Sequence, residues 1–374
     1  KVPPSLHNDL LCGQGEIEST MPTRTLMKIA KIIDTGNDEI RKVFLETDCD
    51  DLDELISNDL RFNEIRTDFT RYIDLYGYRC PNEQLLEETD LVENPSFAYM
   101  AIQSYVKTKT YSIEKMEEVE KAVKENAEAL VKQHIKGFTR KIYFWILAKA
   151  KAGVKLREDL RLDRSKAYGL SRKLFNLMGK KFEEMGVLKD AKDIFFLTQE
   201  EISEYIDGRS VTLNLDALAQ IRKKEYYEFK EGSMPPDRFI TYGVAGLSLG
   251  FEQILAAGDL LKDKLGADLG PDELAGTSCC PGVVEGIVKM AKTIDDAKGI
   301  DGQILVAYRT DPGWVPLYPT CSGLIIEKGS LLSHSAVVAR EMGIPTIVSV
   351  NGNPFDKLKN GDKVRLDATS GRVT

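Results

Sequence analysis

Apolar residues recur at three- and four-residue steps along YSIEKMEEVEKAVKENAEALVKQHIKGFTRKIYFWILAKA, residues 111–150, with Glu and Lys filling the other face. That is the period of an amphipathic helix, and it predicts one long helical stretch. A second helix is expected near 156–186, and EEISEYI predicts a third. The charge-rich helical pattern holds from about residue 20 to 230. DIFFLT, Asp193 to Thr198, breaks it and reads as a small buried strand or a packed turn.

The character changes after about residue 230, where MPPDRF brings two prolines. The stretch that follows is rich in Gly and Ala and predicts a linker, with a candidate hinge over 242–276. From about Gly276 short β-branched runs take over: VVEGIVKM, QILVAY, GLIIE, PTIVSV and KVRLD, separated by turn residues. One good helix intervenes, SAVVAREMG, with Gly343 as its C′ residue and Pro345 beyond. The expected fold is multi-domain, α plus α/β. A mostly helical domain occupies 1–262, with its linker from about 242, and a small mixed domain occupies 263–374.

Composition narrows the function. A chain of 374 residues with a formal charge of −8 is a poor general nucleic-acid binder. It has no apolar run of the roughly 18 residues a membrane span needs. Its first residues, KVPPSLHNDL, show no apolar signal region and no Met, so the chain is expected to be a piece of a longer protein. The six cysteines form no CxxC pair and no regular framework, which suits reduced thiols in the cytoplasm. No His/Cys/Asp cluster has zinc-like spacing, and no metal site is expected.

The chain holds three histidines, and His334 stands at the start of the one C-terminal helix. Ser333 is suited to cap that helix, which makes His334 its first residue. Free backbone N–H groups and the helix dipole there favour negative charge and disfavour imidazolium. A neutral, nucleophilic ring is expected. The position suits a phosphohistidine, and equally a histidine that only packs or hydrogen-bonds.

The neighbouring residues decide more. TSCCPGVVEGIV, ILVAYRTDPGWVPLYPTCSGLIIEKG and SLLSHSAVVAREMGIPTIVSV follow one another in that order. Together they resemble the swivelling phosphohistidine domain, of β/β/α type, of enzymes related to phosphoenolpyruvate synthase and pyruvate phosphate dikinase. Thr310, Asp311, Pro312, Glu327, Gly329, Ser333, His334, Ala339, Arg340, Glu341, Gly343, Ile344 and Pro345 match that pattern. Ser330 replaces a usual second glycine, and Ser335 a usual Gly or Ala; a serine would strain the turn if that glycine needs positive φ. DLLCGQGEIESTMP, YGYRCPNEQLLEETDLVENPSF, LREDLRLDRSKAYGLSRKLF and AKDIFFLTQEEI are more loosely similar to the middle region of the rifampicin phosphotransferase-like branch.

The resemblance implies a dikinase-type phosphotransferase in which His334 carries a phosphoryl group. ATP and Mg²⁺ would be held by an ATP-grasp domain or subunit absent from this chain. The acceptor would be a small hydroxylated molecule, with AMP and phosphate as the other products. The 40 residues after His334 are too few for the pyruvate-binding barrel of the phosphoenolpyruvate-forming enzymes. Two alternatives stay open: a phosphoenolpyruvate synthase-like enzyme with its barrel on another chain, and a non-catalytic ligand-binding relic.

Further candidates surround this assignment. Arg157, Arg161, Arg164 and Arg172 step along one face of a helix and suit an anion, unless they form a solvated face tied to Glu158, Asp159 and Asp163. Arg79, in GYRCPNE, is a second phosphate- or acceptor-binding candidate. Ser333, Arg309, Asp311 and Glu327 are candidates to support the phosphoryl site. Arg340 is expected to be structural, and His7 and His134 to lie at the surface.

Overall fold

The computed structural model describes residues 6–11, 18–232, 273–351 and 353–374, with the side chains of His7, Asn8 and Ser19 left aside. The boundary expected at 262/263 lies outside these residues, as does the expected hinge up to residue 272. Two compact units form: Lys1–Leu170 with Leu269–Thr374, and Ser171–Asp268.

The first unit begins with helices α1 (Leu6–Leu10), α2 (Met21–Thr35), α3 (Asp38–Glu46), α4 (Leu52–Asn58), α5 (Asn63–Tyr76) and α6 (Ser96–Thr108). Their apolar faces meet in one core. Leu26, Ile29 and Ile33 of α2 pack there with Phe69 of α5 and Tyr99 of α6, and the last two rings stack at 4.1 Å. Next come α7 (Ile113–His134) and α8 (Gly137–Glu184), the latter continuing into the second unit.

The single helix expected over 111–150 is therefore two. Ile135 takes an extended conformation (φ −113°, ψ 125°) and Gly137 a left-handed one (φ +62°). A helix cannot run through either, and glycine reaches positive φ without a Cβ clash. The apolar period carries across the break, so the pattern alone hides it. The helix expected near 156–186 is the continuation of α8.

Seven strands follow: β1 (Leu274–Cys280), β2 (Val283–Ala291), β3 (Ile304–Ala307), β4 (Gly323–Ile326), β5 (Thr346–Asn351), β6 (Lys363–Asp367) and β7 (Arg372–Val373). They close into a barrel in the order β1-β5-β4-β3-β2-β6-β7. β2, β3, β4 and β5 pair in parallel, while β1, β6 and β7 join antiparallel. The expected mixed strand-and-helix domain is there, but its sheet is a closed barrel rather than β/β/α layers. Five of the strands coincide with the β-branched runs. β1 and the two-residue β7 carry no such run, and they supply the antiparallel ladders that close the barrel.

Alternation explains why β3 and β4 are buried on both faces. Ile304, Val306 and Ile325 point into the barrel with Ile347 and Leu366. Leu305, Ala307, Leu324 and Ile326 point outward, beneath helix α11 (His334–Glu341) and a 3-10 stretch over Pro312–Thr320. A short helix, α12 (Pro354–Lys357), precedes β6. Phe97 and Met100 of α6 and Met116 of α7 pack on that outer cluster, which seats the barrel against the helical part of the same unit.

The second unit contains the end of α8, a 3-10 turn at Ala191–Phe196, α9 (Gln199–Ile206) and α10 (Leu215–Glu231). DIFFLT is thus a packed turn and not a strand. Thr198 and Glu201 form a capping box that starts α9. Among the described residues no helix is long and apolar enough to cross a membrane.

Candidate active site

Ser333 caps α11, its hydroxyl accepting from the Ala336 N–H at 3.4 Å. His334 is the first residue of the helix, as expected. Gly343 is left-handed at φ +69°, and the Gly343 and Ile344 N–H groups donate to Arg340 and Ala339 carbonyls at 3.1 and 2.9 Å. This is a complete Schellman ending. Ser330 is not among the positive-φ residues, so the serine there brings no strain. Ser335 hydrogen-bonds through its hydroxyl to Thr310, whose hydroxyl also meets that of Tyr318. The extra serine thus ties the first turn of α11 to the Thr310–Asp311–Pro312 loop.

The imidazole of His334 is only 3% exposed. Its Nδ1 lies 2.7 Å from Oε2 of Glu158, a fully buried carboxylate on α8. Nε2 is buried and has no hydrogen-bond partner among the described residues. Arg157 donates through Nη1 to Glu158 Oε1 at 2.9 Å and to the Leu332 carbonyl at 2.7 Å. Two consecutive residues of α8 thus grip both the histidine and the turn before it.

Charge states follow from these contacts. Burial pulls His334 below its ordinary pKa; the bond and charge of Glu158 oppose this, and Arg161 and Arg79 add to it. Burial pushes Glu158 up, but the bond to His334 and the charges of His334, Arg157 and Arg161 hold it below its ordinary value. The arrangement is therefore a neutral ring that donates from Nδ1–H to a carboxylate and keeps its lone pair on Nε2.

Arg161 is half-buried and Arg164 exposed. Burial depresses Arg161, as do the charges of Arg164 and Arg157, against the pull of Glu158 and Glu83. Neither guanidinium makes a hydrogen bond or ion pair among the described residues. Both line a groove of ≈ 710 Å³ whose wall includes Gly153, Leu156 and Leu160. Both also line a smaller cleft of ≈ 270 Å³ with Asn82, Ser165 and Asp311. The arginines expected to share one face do not share one environment. Arg157 is engaged beside His334, Arg161 and Arg164 face the clefts, and Arg172 is buried in the second unit.

The other candidates fall into place around them. Arg79 is buried, paired with Glu83 at 2.7 Å and donating to the Pro312 carbonyl at 2.7 Å. Asp311 accepts from the N–H groups of Gly313 and Asn82. Glu327 is half-buried beyond the end of β4, its backbone bonded to Ala307 and Val350. Arg309 is exposed, 5.9 Å from the centre of the Tyr308 ring. Arg340 is buried and reaches the carbonyls of Cys279 and Leu331. His134 is exposed. Among the described residues no group of three or more His, Cys, Asp or Glu is arranged to hold a metal ion.

Sequence reasoning missed Glu158 as a site residue and counted it as a counter-charge to the arginines. Its only signal was a carboxylate one position after Arg157 in the segment REDLRLDR. Which of the three acids there is buried depends on what α8 packs against.

Two stretches of the chain match models of known families. Residues 299–371 match the family model of the PEP-utilising enzyme mobile domain. Residues 3–158 match that of the rifampicin phosphotransferase fourth domain. The rifampicin phosphotransferase of Bacillus cereus is 28% identical over 317 residues, 83% of this chain and 34% of that protein. The enzyme of the same name from Bacillus subtilis is 33% identical over 190 residues, covering 51% and 20%. The phosphoenolpyruvate synthase of Aeropyrum pernix is 41% identical over 100 residues, covering 26% and 12%. The chain thus spans at most about a third of the length of these relatives. Both resemblances drawn from the sequence are borne out.

Proposed function

We propose that His334 is a transient phosphoryl carrier in a phosphotransferase of the PEP-utilising type. One observation carries this reading: the Nε2 of a buried imidazole has no partner among the described residues while its Nδ1 is held by Glu158. A histidine that merely packs needs no buried carboxylate to fix its tautomer. Burying that carboxylate costs several kcal/mol unless it is well paired.

Each residue then has a part. Nε2 attacks the β-phosphorus of the donor ATP; the N–P bond forms as the bond to the AMP oxygen breaks, and water then cleaves off the terminal group as inorganic phosphate, leaving one phosphoryl group on the ring. The ring gains positive charge, which Glu158 offsets through Nδ1–H. In the second step a hydroxyl of the acceptor attacks the same phosphorus. The N–P electron pair returns to Nε2, and the hydroxyl proton passes to water. Arg161 and Arg164 supply charge to the phosphoryl oxygens in flight. The groove walled by Gly153, Leu156 and Leu160 receives the acceptor.

The donor is ATP, bound with Mg²⁺ on a nucleotide-binding domain outside this chain, and the products are AMP, phosphate and a phosphorylated acceptor. The likeness to the rifampicin phosphotransferase of Bacillus cereus over 83% of the chain supports this reaction over phosphoenolpyruvate synthesis, since two phosphoenolpyruvate synthases match over 26% and 44% of it.

The test is direct. The chain is incubated with ATP, Mg²⁺ and a separately expressed nucleotide-binding domain, and its intact mass is measured. The expected result is one added phosphoryl group, acid-labile and absent in His334→Ala. No added mass with a competent donor would leave the ligand-binding reading in its place.

A further inference from the structure

The loop Thr310–Gly313 of the barrel domain meets the segment Arg79–Glu83 of the helical part through directed contacts. Asp311 Oδ2 accepts from the Asn82 N–H at 3.1 Å. Arg79 Nη2 donates to the Pro312 carbonyl at 2.7 Å. A Cβ on Gly313 would stand 2.7 Å from the Cys80 carbonyl oxygen and 3.0 Å from Pro81 Cα, so the two backbones touch. From the helical side, Glu83 holds Arg79 with one carboxylate oxygen and accepts from Ser165 with the other. Ser165 stands on α8, seven residues after Glu158. On the barrel side, Thr310 bonds to Ser335, the neighbour of His334.

Elsewhere this seam combines apolar contacts, Phe97, Met100 and Met116 against the outer cluster of the barrel, with single bonds from Ser104 to the Ile300 carbonyl, Tyr105 to the Pro316 carbonyl and Arg157 to the Leu332 carbonyl. Apolar contact is non-directional and tolerates small slides. Hydrogen bonds are not, and weaken steeply with misalignment. We infer that Arg79–Glu83 is a docking socket for the Thr310–Gly313 loop, with Asp311, Asn82 and Arg79 as positioning residues. The socket sets the register in which His334 meets Glu158, and shields the ring while docked. The inference rests on the reading of His334 as a carrier that docks and leaves.

Diethyl pyrocarbonate modification of the whole chain, mapped by peptide mass, tests it. Exposed His134 is the internal reference. In the unaltered chain His334 should react at least about tenfold more slowly than His134. Asp311→Ala, which loses the bond from the Asn82 N–H, and Gly313→Ala, whose Cβ would press on the Cys80 carbonyl, should each speed modification of His334 by about tenfold. Asp311→Asn, which retains an acceptor, should fall between. His134 reactivity and far-ultraviolet circular dichroism should stay constant, which separates undocking from unfolding. Modification of His334 at the parental rate in all three variants would overturn the socket. The assay needs no phosphoryl transfer. A failure of the carrier reading would show as an unphosphorylated parent chain and leave this result legible.

Discussion

Glu158 and His334 lie 176 positions apart and share a 2.7 Å hydrogen bond between the middle of a long helix and the first residue of a short one. The bond fixes which nitrogen of the ring is free. Nδ1 is occupied, so a phosphoryl group accepted by the ring is expected on Nε2. Two-dimensional ¹H–³¹P correlation of the phosphorylated chain should show a single Nε2 adduct.

Removing the charge at Glu158 should slow His334 phosphorylation. Glu158→Gln keeps an acceptor for Nδ1–H but no longer offsets the charge the ring acquires. Hydrogen bonds to charged groups are worth about 1.5–3 kcal/mol, so the rate should fall roughly 10- to 100-fold. The time course of added phosphate by intact mass checks this. An unchanged rate would show that the carboxylate only packs.

The pH response has a definite sign. His334 titrates below its ordinary 6.5 because burial disfavours the imidazolium. The unfolded chain therefore binds the proton first. The contribution of this group to stability is complete above about 6.5 and is lost as pH falls towards the folded-state value. Glu158 is depressed below 4.5, so its contribution is lost only at lower pH still. Thermal midpoints between pH 8 and 5 should fall below about 6.5 in the parent, and by less in His334→Gln. In NMR titrations, the ring of His334 should titrate below 6.5, and lower still in Glu158→Gln.

Arg161→Gln and Arg164→Gln should separate chemistry from stability. Neither guanidinium is paired within the described residues, so each change should alter stability by no more than about 0.5 kcal/mol. Phosphoryl transfer should nonetheless slow by about tenfold or more, since each loses a charge-assisted contact to the moving group. Denaturant midpoints and transfer rates, measured on the same samples, decide it.

Gly343→Ala should destabilise the barrel domain by about 1–2 kcal/mol through its left-handed backbone. Gly343 sits at φ +69°, and an added Cβ would also come within 2.9 Å of Val119. A lowered thermal midpoint is expected, and an unchanged one would mean that the helix end adjusts without cost.

Much of the site was legible in the sequence because it is local. Ser333 caps, His334 opens the helix and Gly343 closes it through backbone and side-chain bonds spanning a few residues. The β-branched runs mark five strands for the same reason: alternation and propensity are written in consecutive residues. The break at Ile135–Gly137 was not legible, since the apolar period runs on across it. Nor was the closed barrel, because which ladders join depends on how β1, β6 and β7 register against distant strands.

The sequence by itself determined a helix-capping serine, a histidine placed to be neutral, and the run of arginines on α8. Only the tertiary structure decided that Glu158, among several acids in that run, loses its water and turns to His334, that Arg161 and Arg164 line the clefts with no partner among the described residues, and that Arg79 reaches Pro312. The reason is physical. A carboxylate or guanidinium has the same formula in water and in a core, and its role is set by which groups from remote segments replace its water.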